Sequence, residues 1–184
     1  MIEKKSVLAS RTTFAGLVAA VVLGGAAAQA IAETSGGVGT GGGDGTGTTA
    51  GGVFPVRGHH TYGDGIGAGR DHQGQDIMAK CGKPVVSALD GRVKIVDSHP
   101  AAGNYVVVAG AGKSPDTAYM HLAGRPAVRK REAVQAGEQL GVVGKTGNAS
   151  ACHLHFEMWS APGYYEGGSV IDPLPYLKRW DKTS

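Results

Sequence analysis

A series of short β-rich runs, interrupted repeatedly by Gly, Pro, Asn and Asp, limits the fold more than any other feature. The runs are "PVVSAL" (84–89), "RVKIV" (92–96), "NYVVVA" (104–109), "TAYMHL" (117–122), "QLGVVG" (139–144) and "HLHFEMW" (153–159). Such runs are typical of strands joined by tight turns, and Asp90-Gly91 predicts a type I′ hairpin between the first two. Helical periodicity is scarce, so the fold class is mainly β, a single small antiparallel sheet domain with little helix.

Three segments outside these runs carry other signals. Residues 129–137 are the only candidate for a short helical turn, and the Asp172-Pro173 and Leu174-Pro175 pairs predict the end of regular strand pairing. Residues 36–52 contain ten glycines and no large apolar group. Burial of such small side chains gains too little free energy to offset the conformational entropy lost when the chain becomes ordered. We therefore expect residues 31–52 to be a flexible linker.

The N-terminus has the pattern of a secretory signal peptide, predicted over residues 1–30. Lys4, Lys5 and Arg11 precede an apolar stretch at 14–28, and Ala-x-Ala sites follow it. The stretch is shorter than the roughly 20 apolar residues that span a bilayer. We therefore expect a secreted or cell-envelope protein with no stable membrane insertion after cleavage. Anchoring by an uncleaved N-terminal segment is the alternative.

The remaining chain is long enough for one domain. We expect that domain at 53–177 and a polar C-terminal tail at 178–184. The formal net charge is +3, and removing residues 1–30 takes away three basic residues and one acidic residue, which leaves about +1. A net charge this small argues against nucleic-acid binding. We also expect the protein to be a monomer.

Two histidines in "SACHLHFEMW" (150–159) suggest a metal site. On a strand, His153 and His155 share a face, with Cα atoms roughly 6.5 Å apart, while Leu154 points the other way. Alone, this pair fits two solvent-facing histidines equally well. "RDHQGQDIM" (70–78) adds His72 and Asp76, on a loop that enters a strand because the intervening Gly74 disfavours a helix.

These residues together predict a hydrolytic zinc site. His72, Asp76 and one histidine of the 153/155 pair make a three-ligand set with an open fourth position. His121 lies near the end of the 117–122 run, predicted on the same face as Tyr119. His59, His60 and His99 are interpreted as loop or turn residues. Glu157 fits either a contact with an imidazole or a salt bridge at the rim.

Three motifs resemble the lysostaphin-type (LytM-like) zinc metalloendopeptidases: H-x-x-x-D at 72–76, Tyr-x-His-Leu at 119–122 and H-L-H-F-E at 153–157. "CGKPVVSALDGRV" (81–93) and "GVVGKTGNASACHLHFE" (141–157) follow the same family pattern in order, and the resemblance covers about residues 54–177. It implies a β domain with a groove, one zinc ion, and cleavage of peptide bonds in bacterial peptidoglycan.

Carried over to this sequence, the resemblance implies that His72, Asp76 and His155 hold the zinc. His121 and His153 would flank the fourth coordination position and act in catalysis. We therefore expect a secreted zinc metalloendopeptidase that cuts cross-links or stem peptides. The alternative is a non-catalytic wall-binding or hydrolase-activating module on the same fold.

The chain has two cysteines, and a secreted location predicts that Cys81 and Cys152 form one disulfide. A cysteine hydrolase is the competing interpretation. On a strand Cys152 faces away from His153 and His155, so these pairs cannot act as nucleophile and base. An approach of His121 to Cys152 remains open at this point.

Overall fold

The structure is a computed structural model that describes residues 51–69 and 71–183. The predicted signal peptide and nearly all of the predicted linker lie outside the described residues. Within them, the elements are β1 His60–Tyr62, β2 Gln75–Ala79, β3 Pro84–Val86, β4 Gly91–His99, β5 Gly103–Gly110, β6 Asp116–Leu122, β7 Ala133–Val134, β8 Gln139–Val142, β9 His153–Trp159, β10 Val170–Ile171 and α1 Leu174–Asp181. No helix in this part of the chain has the length and apolar character needed to span a membrane.

Eight of these strands form one antiparallel sheet. Its order is β1-β2-β9-β6-β5-β4-β7, and β10 pairs with the far end of β9. The other two strands, β3 and β8, form a separate antiparallel pair. The main apolar core lies on one face of the large sheet, and the opposite face carries the histidines described below. The prediction of a mainly antiparallel β fold is confirmed.

The predicted hairpin at Asp90-Gly91 is wrong. β3 pairs with β8 and β4 pairs with β5, so the two flanking runs do not pair with each other. A type I′ turn needs positive φ at both central residues, and neither Asp90 nor Gly91 has it. Gly91 instead begins β4, where an added Cβ would overlap the Ala109 carbonyl oxygen of β5. A close backbone approach therefore explains this glycine.

The C-terminal region also differs from expectation. Residues 129–137 contain β7 and not a helical turn. Strand pairing ends with β10, before Asp172, as expected, but the helix α1 that follows was not expected. Pro173 is the N-cap of α1 and Pro175 lies in its first turn, where a missing N–H breaks no helical hydrogen bond. Trp180 is 1% exposed and packs in the main core beside Gly52. The folded part thus extends through residues that were expected to be a polar tail.

The two central strands, β6 and β9, are buried along their whole length. On β9, Leu154, Phe156 and Met158 point into the main core. His153 and His155 alternate with them and face the other side, as the two-residue period of a strand requires. The predicted shared face of the two histidines is confirmed.

The prediction that His121 shares a face with Tyr119 is wrong. Tyr119 lies in the main core, where its hydroxyl donates to Thr117 Oγ1 (3.0 Å) and accepts from Ala88 N (2.7 Å). The β5–β6 register shifts between Asn104 and Val106, and His121 has a positive φ of 63°. A bulge of this kind redirects the side chains that follow it, so His121 turns to the opposite face.

The two cysteines form the predicted disulfide, Cys81–Cys152. Their Cα atoms lie 5.3 Å apart, and the bond joins the turn after β2 to the residue just before β9. Because both cysteines are bonded, Cys152 has no thiol to act as a nucleophile, and an approach of His121 would not change that. The disulfide therefore ties together the two segments that carry the predicted metal ligands.

Candidate metal centre

His72, Asp76 and His155 are brought together on the face opposite the main core. Asp76 on β2 lies directly across from His155 on β9 in the antiparallel register. Asp76 Oδ1 is 2.9 Å from His155 Nδ1 and 3.1 Å from His72 Nε2. One potential ligand atom from each of the three residues lies within 4.8 Å of the other two. These three residues therefore form a possible metal site.

The donor set fits zinc. Ligand atoms that lie about 2.0–2.1 Å from a tetrahedral zinc ion are about 3.3 Å from each other. The two separations that involve Asp76 Oδ1, 2.9 and 3.1 Å, are close to this spacing. Two imidazole nitrogens and one carboxylate oxygen also match the ligands of hydrolytic zinc sites, which keep a fourth position open.

His121 and His153 stand beside these three residues. The rings of His121 and His153 are 4.7 Å apart, centroid to centroid, and the His121 ring lies 6.0 Å from that of His155. His153 Nε2 is 3.7 Å from Asp76 Oδ1. All five predicted site residues are thus gathered in one place.

Three of the four imidazoles are oriented by backbone carbonyl oxygens. The Nδ1 atoms of His72, His121 and His153 lie 2.8–3.0 Å from the carbonyl oxygens of Gly65, Thr146 and Ala151, respectively. A carbonyl can only accept, so each Nδ1 carries a hydrogen, and when the ring is neutral Nε2 has the lone pair. For His72 and His153, that Nε2 faces Asp76. Sequence analysis missed these carbonyls because every residue type has one.

Burial and mutual contacts shift the ionisation of this cluster in the metal-free protein. Burial is the largest single influence and opposes the charged forms of Asp76 and His155, but their hydrogen bonds and the charges of their neighbours together outweigh it. The pKa of Asp76 is lowered, and that of His155, which also binds Glu157, is raised to about 9. For His121 burial prevails and lowers the pKa. His121 is accordingly neutral at physiological pH.

A groove of about 610 Å³ opens above the cluster. Its lining includes His99 and Ala102, from the end of β4 and the turn that follows it, and also Tyr164 and Tyr165. His99 was interpreted from sequence as a surface turn residue; it is exposed, but it is the last residue of β4 and it lines the groove. No lysine or arginine lines the groove among the described residues.

The two histidines at 59 and 60 are not part of the site. His60, interpreted from sequence as a loop residue, instead lies on β1. Its ring stacks on Phe54 with centroids 4.1 Å apart, and its Nε2 is 3.4 Å from Asp181 Oδ2 of α1. His59 is exposed. Neither residue lines the groove, so the prediction that they do not complete a site agrees with their positions.

Comparisons with known proteins point to one family. The profile described as Peptidase family M23 matches residues 70–173, more than half of the chain. Peptidoglycan DD-endopeptidase ShyA of Vibrio cholerae is 39% identical over 87 residues, which are 47% of this chain and 20% of ShyA. The chain spans about a fifth of the length of ShyA and of other curated relatives that it matches.

Solved structures agree in fold. The catalytic domain of the antimicrobial peptidase lysostaphin from Staphylococcus simulans superposes with a TM-score of 0.59 at 28% identity, covering 65% of this chain and 92% of that domain. A zinc-containing peptidase from Vibrio cholerae gives a TM-score of 0.56 at 31% identity, covering 65% of this chain and 37% of that one. With the shared fold, the gathered motif residues and the profile match, the chain belongs to peptidase family M23.

Proposed function

We propose that this protein is a zinc metalloendopeptidase that hydrolyses peptide bonds in peptidoglycan cross-links or stem peptides. The observation that carries the proposal is the convergence of His72, Asp76 and His155 at the floor of an open groove. Family membership supports it, as does the similarity to ShyA, a relative named as a peptidoglycan DD-endopeptidase. One zinc ion would be held by these three residues.

The residues divide between holding the metal and moving protons. When bound, zinc supplies a Lewis acid that polarises the scissile carbonyl and activates a water molecule for attack. His121 Nε2 would take up the proton that the attacking water loses and pass it to the leaving amine nitrogen as the peptide bond breaks, because its lowered pKa keeps it neutral and its Nδ1 is occupied by the Thr146 carbonyl. His153 Nε2, next to it, orients the water by accepting a hydrogen bond.

The groove suits an extended peptide. It is open above the cluster and is also lined by His99, Tyr164 and Tyr165. Since no lysine or arginine lines the groove among the described residues, the substrate is held mainly by shape and by polar contacts. We further propose that residues 1–30 direct export, residues 31–52 form a linker, and the mature protein works in the cell envelope as a monomer.

Digestion of purified peptidoglycan sacculi tests the function. We expect the full mature chain with zinc to release soluble fragments with new amino termini, and a chelator to stop the release. His72→Ala and His155→Ala should lose both zinc and activity, whereas His121→Ala and His153→Ala should keep zinc and lose activity. His59→Ala, which removes an exposed histidine outside the groove, is the matched control and should behave as wild type.

Two outcomes would contradict the proposal. Retention on sacculi without any release would favour the non-catalytic wall-binding alternative. Loss of zinc from His153→Ala with zinc kept by His155→Ala would reverse the assignment of ligand and proton-transfer roles.

A further inference from the structure

Glu157 is a buried carboxylate beside the candidate metal site. It lies on β9 two residues after His155 and is 4% exposed. Its Oε1 is 3.0 Å from His155 Nε2, and its Oε2 accepts a hydrogen bond from Trp159 Nε1 at 2.7 Å. Both oxygens of the side chain are therefore used, each by a different N–H donor.

The alternation of β9 produces this arrangement. His155, Glu157 and Trp159 occupy every second position and share one face of the strand. Trp159 is held in turn by Tyr164 and Tyr165, whose ring centroids are 5.4 and 4.8 Å from its own. The hydrogen bond to Glu157 thus comes from an indole that is itself packed in place.

His155 differs from the other three histidines around the candidate metal site in how its ring is oriented. His72, His121 and His153 each donate Nδ1–H to a backbone carbonyl. His155 is turned the other way: its Nδ1 faces Asp76 and its Nε2 faces a side chain, Glu157. Nδ1 can offer a lone pair to a metal only when the hydrogen of the neutral ring is on Nε2.

We propose that Glu157 is a positioning residue that fixes this tautomer of His155 through Oε1, while its Oε2 is occupied by the Trp159 indole. The inference rests on the proposed zinc site. Carboxylates that accept the second N–H of a metal-bound imidazole hold the ring in orientation and strengthen it as a ligand. Glu157 provides that acceptor from two residues along the same strand.

An amide at this position cannot do the same. Glutamine has one acceptor oxygen and one NH2 group, whereas both neighbours of Glu157 are donors. If the amide oxygen faces His155, the NH2 group opposes Trp159 Nε1–H. If it faces Trp159, the NH2 group opposes the Nε2–H that the metal-binding tautomer needs. Removing the indole donor should therefore relieve the conflict and let the amide oxygen serve His155.

The experiment is a double-mutant cycle on zinc affinity. Metal-free full chain is titrated with zinc in competition with a chromophoric chelator, for wild type, Glu157→Gln, Trp159→Phe and the double variant. We expect Glu157→Gln to bind zinc about 10- to 100-fold more weakly, Trp159→Phe to change little, and the double variant to recover most of the loss. Glu166→Gln, at an exposed carboxylate that pairs with Lys94, is the control and should match wild type.

The cycle separates positioning from general destabilisation. Thermal unfolding of the four metal-free proteins reports folding independently of zinc, and a merely structural role predicts that the double variant binds no better than Glu157→Gln. Equal zinc affinity of Glu157→Gln and wild type, or no recovery in the double variant, would overturn the inference while leaving the proposed function intact. Failure of wild type to bind zinc would overturn both.

Discussion

Removal of the disulfide should cost a large share of the stability of the domain. The bonded cysteines, Cys81 and Cys152, are separated by 71 positions. For a closed loop of that length, the chain-entropy relation gives about 15 cal/mol/K, or about 4 kcal/mol at 25 °C. Domains of this size are typically stable by about 5–15 kcal/mol, so the remaining stability would be small.

Urea unfolding of the metal-free chain measures this loss. We compare wild type with and without reductant and with the double variant Cys81→Ser/Cys152→Ser. With a slope of about 2 kcal/mol/M, a loss of about 4 kcal/mol lowers the unfolding midpoint by about 2 M. Reductant should have no effect on the double variant, which serves as its control. A loss below about 1 kcal/mol in both tests would refute the loop-entropy reasoning.

Two further perturbations act on His155 itself. At Gly74 an added methyl group would overlap the Phe156 carbonyl oxygen and approach His155 Nε2 to 2.9 Å. Gly74→Ala should therefore destabilise the protein by about 1–3 kcal/mol in thermal or urea unfolding and weaken zinc binding, whereas Gly124→Ala, where the added group meets open space, should do neither. The pH dependence of stability follows from the raised pKa of His155, which in the metal-free protein is about 9 against an ordinary 6.5. The contribution of this raised pKa to the free energy of unfolding is complete below about pH 6.5 and is lost as pH rises toward 9, so the urea midpoint measured in chelator should fall over that window. A midpoint that stays level, or that falls equally in His155→Gln, would contradict this.

Sequence reasoning located the site well where strand geometry or side-chain chemistry carries the signal. The shared face of His153 and His155 follows from the two-residue period of a strand, which β9 keeps without interruption. The grouping of His72 and Asp76 with them came from motif spacing, and the structure gathers the same residues. The disulfide followed from the presence of only two cysteines in a chain expected to be exported.

The failures have a common physical origin in the backbone. His121 faces the groove because of a bulge and a positive φ, and a histidine in the sequence does not indicate either one. The pairing of β3 with β8 is a long-range contact that the local Asp90-Gly91 turn signal obscured. The contact of Glu157 with an imidazole was one of two interpretations of the sequence, because Glu157 lies two residues after His155 on the same strand face. The second contact, with Trp159 Nε1, was not predicted.

The position of β9 inside the sheet has a consequence for how a metal ion would bind and be released. β9 is hydrogen-bonded to β2 on one side and to β6 on the other, and all seven of its residues are buried. Segments of this kind open only in near-global unfolding, so their amide hydrogens exchange slowly with solvent. The cation would therefore enter and leave a receptor that is already assembled, and stripping it and adding it back should be reversible without refolding of the chain.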